Sequence, residues 1–99
     1  MLMVEIPREI TELIELVSLN LSRNNLSGRI PSDIGQLRLL DALDLSNNQL
    51  SSRLPPSLSQ MERLDNLDLS NNNFFGKIPI SALLQSFELP FNENPVLGI

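Results

Sequence analysis

Aspartates at 41, 44, 65 and 68 form two pairs twenty-four residues apart, and of all the side chains in this 99-residue chain they most invite a chemical reading. Carboxylates on adjacent rungs of a parallel sheet stand about 5 Å apart, close to the separation used by retaining glycoside hydrolases. The same four, Asp41, Asp44, Asp65 and Asp68, also make an oxygen-rich set of the kind that Ca²⁺ takes. Their surroundings argue against both. A general acid needs burial or a strong neighbour to raise its pKa, and the residues beside Asp44 and Asp68 are Ser and Asn, which invite water. With no His, the usual general base and the commonest metal ligand are missing. With no Cys there is no thiolate site, disulfide or redox chemistry. The expectation is a non-catalytic chain with no cofactor and no bound metal.

Composition removes further classes. The formal net charge is -5, no basic cluster is present, and the aromatics are four Phe with no Trp or Tyr. Neither phosphate neutralisation nor base stacking has residues to carry it, so nucleic acid is not an expected partner. Uninterrupted apolar runs are a few residues long, against the ~20 that a membrane helix needs. Met1 to Val4 is too short, and uncharged, for a secretory signal. The apolar residues, 41% of the chain, are mostly Leu, so one aliphatic shape must build the core by repetition.

That repetition is explicit. At an offset of 24 the chain reads LIELVSLNLSRNNLSGRIPSDIGQ from Leu13, LRLLDALDLSNNQLSSRLPPSLSQ from Leu37 and MERLDNLDLSNNNFFGKIPISALL from Met61. The segment LMVEIPREI at 2–10 matches LSGRIPSDI at 26–34, so the chain starts inside a repeat. The expected organisation is one domain over 1–99: a partial repeat 1–12, repeats 13–36, 37–60 and 61–84, and a closing segment 85–99.

Each recurring position has a physical role. Leu19 and Leu21, Leu43 and Leu45, and Leu67 and Leu69 alternate at period two, which predicts one short strand per turn with its Leu pair inside. One turn cannot hide its own leucines. Stacking turns buries them between neighbours, each gaining roughly 1.5–3 kcal/mol when fully covered. Asn24, Asn48 and Asn72 recur where the chain leaves the strand, and a stacked Asn column can satisfy backbone groups that the turn leaves unpaired. Gly28 and Gly76 suit a tight bend, and Pro7, Pro31, Pro55 and Pro79 fix φ on the return limb, where they predict turns and 3₁₀ pieces in place of a long helix.

The pattern L-x-x-L-x-x-L-x-L-S-x-N-x-L-S-G-x-I-P-x-x-I resembles the plant-type leucine-rich repeat, and the pairing of LDLSNN with LSGRIP is specific to it. The resemblance runs from Leu2 to about Pro79 and is strongest to the final repeats of plant receptor-like proteins and receptor kinases. It implies an α/β repeat solenoid: a right-handed superhelix with short parallel strands on the concave face and 3₁₀ or turn segments on the convex face. The tail LLQSFELPFNENPVLGI is similar to the family's terminal cap, with Asn94-Pro95 and Leu97-Gly98 in place but the cap cysteine absent. Val4 and Ser52 replace the family's Gly, Phe74-Phe75 replaces Leu-Ser, and Ser81-Ala82-Leu83 departs from the last turn.

If the leucines of L-x-L point inward, the residues between them point out. Ser18, Asn20 and Ser22 then stack with Ala42, Asp44 and Ser46 and with Asn66, Asp68 and Ser70, forming a polar, acidic concave strip about 10 Å across. That width engages a loop or strand of a partner, and these residues are the candidate binding surface. Sequons at Asn20 and Asn25 are candidate glycosylation sites, Asn25 being better placed because a glycan on Asn20 would obstruct the strip. Phe74 is expected to fill the interior position of Leu26 and Leu50, leaving Phe75 either exposed at the position of Ser27 or packed on Ile78 or the C-terminal segment. Residues 1–12 lack a strand, so the face over Leu16, Leu19 and Leu21 should be underprotected and prone to end-to-end self-association. At the other end, the alternation of Phe87, Leu89 and Phe91 predicts a last strand, blunted by Pro90.

The resemblance implies a protein-interaction role in plant receptor complexes, in immunity or development, with a co-receptor kinase or a peptide as partner. It also suggests an extracellular or plasma-membrane setting. The chain carries no signal peptide, cap disulfide, membrane helix or kinase of its own, which fits a fragment or a truncated relative. Two alternatives use the same repeat: an inhibitor of a cell-wall-degrading enzyme, similar to polygalacturonase-inhibiting proteins, and an ice-binding surface, against which the mixture of Asp, Asn and Ser in the outward columns argues.

Overall fold

A computed structural model describes residues 4–77 and 97–98. Two parallel sheets run along the coil. The strands of L-x-L form the first: β2 (Ser18–Asn20), β4 (Ala42–Asp44) and β6 (Asn66–Asp68). They stack in the order β2-β4-β6, with Leu19 opposite Leu43 and Leu43 opposite Leu67. The offset between partners is the sequence period, so one loop of backbone separates neighbouring rungs. Ladder bonds continue past the strands, where the Leu21 N–H donates to the Asp44 carbonyl at 2.8 Å and the Leu45 N–H to the Asp68 carbonyl at 2.9 Å.

A second sheet was not anticipated from the period-two leucines. It consists of β1 (Val4–Glu5), β3 (Leu26–Gly28), β5 (Gln49–Arg53), β7 (Asn73–Lys77) and β8 (Leu97–Gly98), in the order β1-β3-β5-β7-β8. Strands β1, β3, β5 and β7 fall on the residues just before each Ile-Pro or Leu-Pro, around the L-S-G positions where the sequence predicts a bend. Gly28 and Gly76 adopt φ of +79° and +91°, but they lie in β3 and β7, so they kink strands and do not follow them. Ser52 in β5 takes the same left-handed conformation at φ +72° without being Gly. Val4, the other departure from Gly, is not among the positive-φ residues.

The convex side consists of 3₁₀ turns at Arg8–Glu12, Ile34–Gln36 and Pro56–Gln60. Pro7 and Pro55 each precede one with φ -67°, the fixed value that an extended entry requires. Close approach of the second and third turns depends on Gly35, because a Cβ there would collide with the Ser57 carbonyl. The Gly35 N–H donates to Ser57 Oγ at 3.0 Å, and that hydroxyl in turn donates to the Ser32 carbonyl at 2.7 Å.

The core repeats with the sequence. Leu37, Leu40, Leu43, Leu45 and Leu50 of the middle turn are essentially inaccessible, as are Met61, Leu69 and Phe74 of the next. Phe74 fills the interior position as expected. In the first turn the equivalents Leu16, Leu19 and Leu21 are only partly buried, and Leu13, Ile14 and Val17 are each more than half exposed. The strand expected around Phe87, Leu89 and Phe91, the last turn at Ser81-Ala82-Leu83 and Pro79 lie outside the described residues.

The Asn column behaves as its chemistry requires. Asn48 Oδ1 accepts from the backbone N–H groups of Asn24 and Leu26 in the preceding turn, at 2.9 and 3.0 Å. Its Nδ2 donates to the carbonyls of Leu21, Leu45 and Ser46. Asn72 repeats the arrangement one turn later, accepting from Leu50 N–H and donating to the carbonyls of Leu45, Leu69 and Ser70.

Candidate functional site: the concave strip

The first sheet aligns the outward residues in two columns, Ser18 with Ala42 and Asn66, and Asn20 with Asp44 and Asp68. Ser18, Asn20, Asn66 and Asp68 are exposed, while Ala42 and Asp44 are half-buried. Ser46 differs from expectation: it is 5% exposed, turned into the coil where the strand ends. Ser70 is half-buried at the same position.

The reason lies in a hydrogen-bonded turn that recurs at each rung. Asp44 Oδ1 accepts from the Ser46 backbone N–H at 3.0 Å and from its hydroxyl at 2.7 Å. Asp68 Oδ1 accepts from Ser70 in the same two ways, at 3.0 and 2.6 Å. Asn20 Oδ1 does so from Ser22, at 2.9 and 2.7 Å. The short hydroxyl bonds to carboxylate are the charge-assisted kind. An amide thus replaces a carboxylate in the first turn without changing the geometry, so one oxygen of each side chain ends the strand. The second oxygen of Asp44 and of Asp68 has no hydrogen-bond partner among the described residues.

The Ca²⁺ set does not assemble: among the described residues, no three His, Cys, Asp or Glu side chains come together as a metal site. As for acid–base chemistry, Asp44 and Asp68 are tied to serines on an open sheet, with no histidine or cysteine available to act beside them.

Asn20 and Asn25 are both exposed, with Asn25 in the left-handed region at φ +54° and the sequon's Ser27 buried in β3. Phe75 is 41% exposed, and the Arg53 guanidinium carbon lies 5.8 Å from its ring centroid. Packing of Phe75 on Ile78 concerns a residue outside the described set. Sequence reasoning passed over this flank, although the residue before each Ile-Pro or Leu-Pro is charged in every turn: Glu5, Arg29, Arg53 and Lys77.

A family model described as Leucine rich repeat matches residues 14–74, and a second described as Leucine Rich Repeat matches residues 63–88. The chain belongs to the leucine-rich-repeat family. Solved structures similar to it include plant receptor ectodomains. A chain of the BIR3–SERK2 complex from Arabidopsis thaliana is 40% identical, with a TM-score of 0.84 over 94% of this chain and 50% of that one. The BIR2 ectodomain from Arabidopsis thaliana is 36% identical, with a TM-score of 0.88 over 94% of this chain and 50% of that one. The ectodomain of the receptor kinase GASSHO1/SCHENGEN3 from Arabidopsis thaliana, solved with CASPARIAN STRIP INTEGRITY FACTOR 2, is 42% identical, with a TM-score of 0.88 over 97% of this chain and 12% of that one. This leucine-rich-repeat chain therefore spans half or less of the length of these three structures. Among curated protein sequences none matches. Two parallel sheets joined by 3₁₀ turns make it an α/β leucine-rich-repeat solenoid of the plant type. No helix among the described residues is long and apolar enough to cross a membrane.

Proposed function

We propose that this leucine-rich-repeat chain is a non-catalytic protein-interaction module acting in plant receptor recognition of a co-receptor kinase or a peptide ligand. The observation that carries the reading is the aligned, accessible strip of Ser18, Asn20, Asn66 and Asp68 flanking half-buried Ala42 and Asp44. It offers a loop or strand hydrogen-bonding groups fixed on a sheet, and the carboxylate oxygens of Asp44 and Asp68 that have no partner among the described residues favour a partner bearing cations or N–H donors. Support comes from the neighbours, among them the BIR3–SERK2 complex, the receptor kinase GASSHO1/SCHENGEN3 in complex with CASPARIAN STRIP INTEGRITY FACTOR 2, and a plant peptide hormone receptor, RGFR1, in complex with RGF2.

Biolayer interferometry of the immobilised chain against plant receptor-kinase ectodomains, SERK2 included, tests the proposal. Binding that weakens in an Asp44→Asn/Asp68→Asn variant is expected, because Asn keeps the bond to serine and removes only the charge. Binding to a fungal polygalacturonase, with none to any ectodomain, would replace this reading with the inhibitor one.

A second association follows from the first turn. Leu13, Ile14 and Val17 expose apolar surface beside the edge of β2 that pairs with no other strand among the described residues, and a second copy covering that edge would continue the stacking that already joins the turns of one chain.

A further inference from the structure

The concave strip is acidic, yet on the flank made by the second sheet the position before each Ile-Pro or Leu-Pro, held by Glu5 in the first strand, becomes Arg29 and then Arg53 in the turns that follow. Arg29 and Arg53 occupy the same position in successive turns, both exposed, in a chain of net charge -5. Among the described residues neither forms an ion pair, the one such pair being Arg8 with Asp33. Twelve acidic residues against seven basic ones make unpaired, aligned arginines a matter of placement.

The second sheet fixes that placement. Arg53 is the register partner of Phe75. Its stem lies across Gly76, where an added Cβ would come within 3.2 Å of Arg53 Cγ. The missing side chain of Gly76 therefore provides a shelf that lays Arg53 along the sheet and brings its guanidinium beside the exposed Phe75 ring. A cation held against a ring face keeps its remaining N–H donors directed outward, and loses less side-chain freedom when it takes a carboxylate. Phe75 stands where the first turn has Ser27, so an apolar surface adjoins the charges in this turn and not in the first.

We propose that this flank, centred on Arg53 and Phe75 and extended by Arg29, binds an acidic segment of a protein partner, its carboxylates pairing with the two arginines and an apolar side chain resting on Phe75. Charge complementarity selects the occupant: Arg29 and Arg53 belong to a different sheet from the acidic concave face, and the carboxylate of the same column, Glu5, stands a turn before Arg29, so an anionic segment is drawn to the Arg29–Arg53 end of the flank and repelled from the concave strip. The site is independent of the concave strip.

Fluorescence anisotropy with a labelled ten-residue Asp/Glu-rich peptide containing one central Leu tests the assignment, with the Asn/Gln counterpart as the uncharged probe. The acidic peptide should bind, and raised salt should weaken it. Arg29→Gln/Arg53→Gln should weaken it about tenfold, matching the loss of two accessible charge pairs and one cation–ring contact. Phe75→Ser, which copies the first turn, should weaken it less, while Asp44→Asn/Asp68→Asn should leave it intact or tighten it. Equal binding of the two peptides, retention of affinity in the arginine variant, or a clear preference for phosphatidylserine vesicles over the acidic peptide would overturn the proposal. A failure here leaves binding at the concave strip standing, because that reading is scored by the aspartate variant against ectodomains.

Discussion

The backbone N–H of Asn24 donates to the side-chain oxygen of Asn48, 2.9 Å away and twenty-four residues later. That bond, with the one from Leu26, makes each turn's backbone depend on the side chain of the turn that follows. Asn48→Ala removes two acceptor and three donor contacts at a buried position, and is expected to destabilise the chain by about 1–3 kcal/mol in urea unfolding. Asn24→Ala should cost distinctly less, since its side chain is exposed and, among the described residues, its Nδ2 donates to the Leu21 and Ser22 carbonyls alone.

Ser52→Gly should stabilise the protein. A side chain at φ +72° carries roughly 1 kcal/mol of left-handed strain that Gly avoids, partly offset by the extra freedom of Gly in the unfolded chain. A net gain of about 0.5–1 kcal/mol is expected, read as a higher urea midpoint at unchanged slope. A lower midpoint would show that the Ser52 side chain contributes contacts outweighing its strain.

Gly35→Ala should do the reverse, although its backbone is not left-handed. The new methyl group meets the Ser57 carbonyl, which belongs to backbone and cannot rotate away, and separating the two 3₁₀ turns is expected to cost about 1–3 kcal/mol. Thermal unfolding followed by circular dichroism measures it, and an unshifted midpoint would mean that the convex turns slide apart freely.

Asp44→Asn should change stability by less than about 0.5 kcal/mol, as Asn20 already fills the same role in the first turn. Asp44→Ala should cost about 1 kcal/mol by leaving the Ser46 N–H and hydroxyl without their acceptor. If both variants lose the same amount, the charge and not the hydrogen bond holds the turn.

Ile14→Glu, alone or with Leu13→Glu, should shift concentration-dependent self-association toward monomer in size-exclusion chromatography with light scattering. Both side chains are over half exposed, so the change places a charge on the surface where a second copy would stack. Unaltered association would move the contact away from the β2 edge.

The concave sheet was legible because its signal is simple: Leu19, Leu43 and Leu67 are separated by the same interval, alternate at period two with Leu21, Leu45 and Leu69, and pair in that register. The Asn column was legible from its donor and acceptor count. The second sheet was hidden because Gly28 and Gly76 read as turn residues, when here they supply a left-handed kink, at the end of β3 and within β7, and a shelf for the side chain of the preceding turn. Leu26, Gly28 and Ile30 alternate as well, and that was the available sign. The burial of Ser46 could not be read from alternation, which counts strand positions but does not reveal that the chain is already turning under the carboxylate of Asp44.

The direction of the Asn24-to-Asn48 and Leu50-to-Asn72 bonds bears on how the molecule comes into being on a ribosome. A loop that has just emerged keeps amide groups facing water until the asparagine of its successor is translated, so the newest segment trails its neighbours in completeness. Ordering then advances in steps of one period behind the growing end.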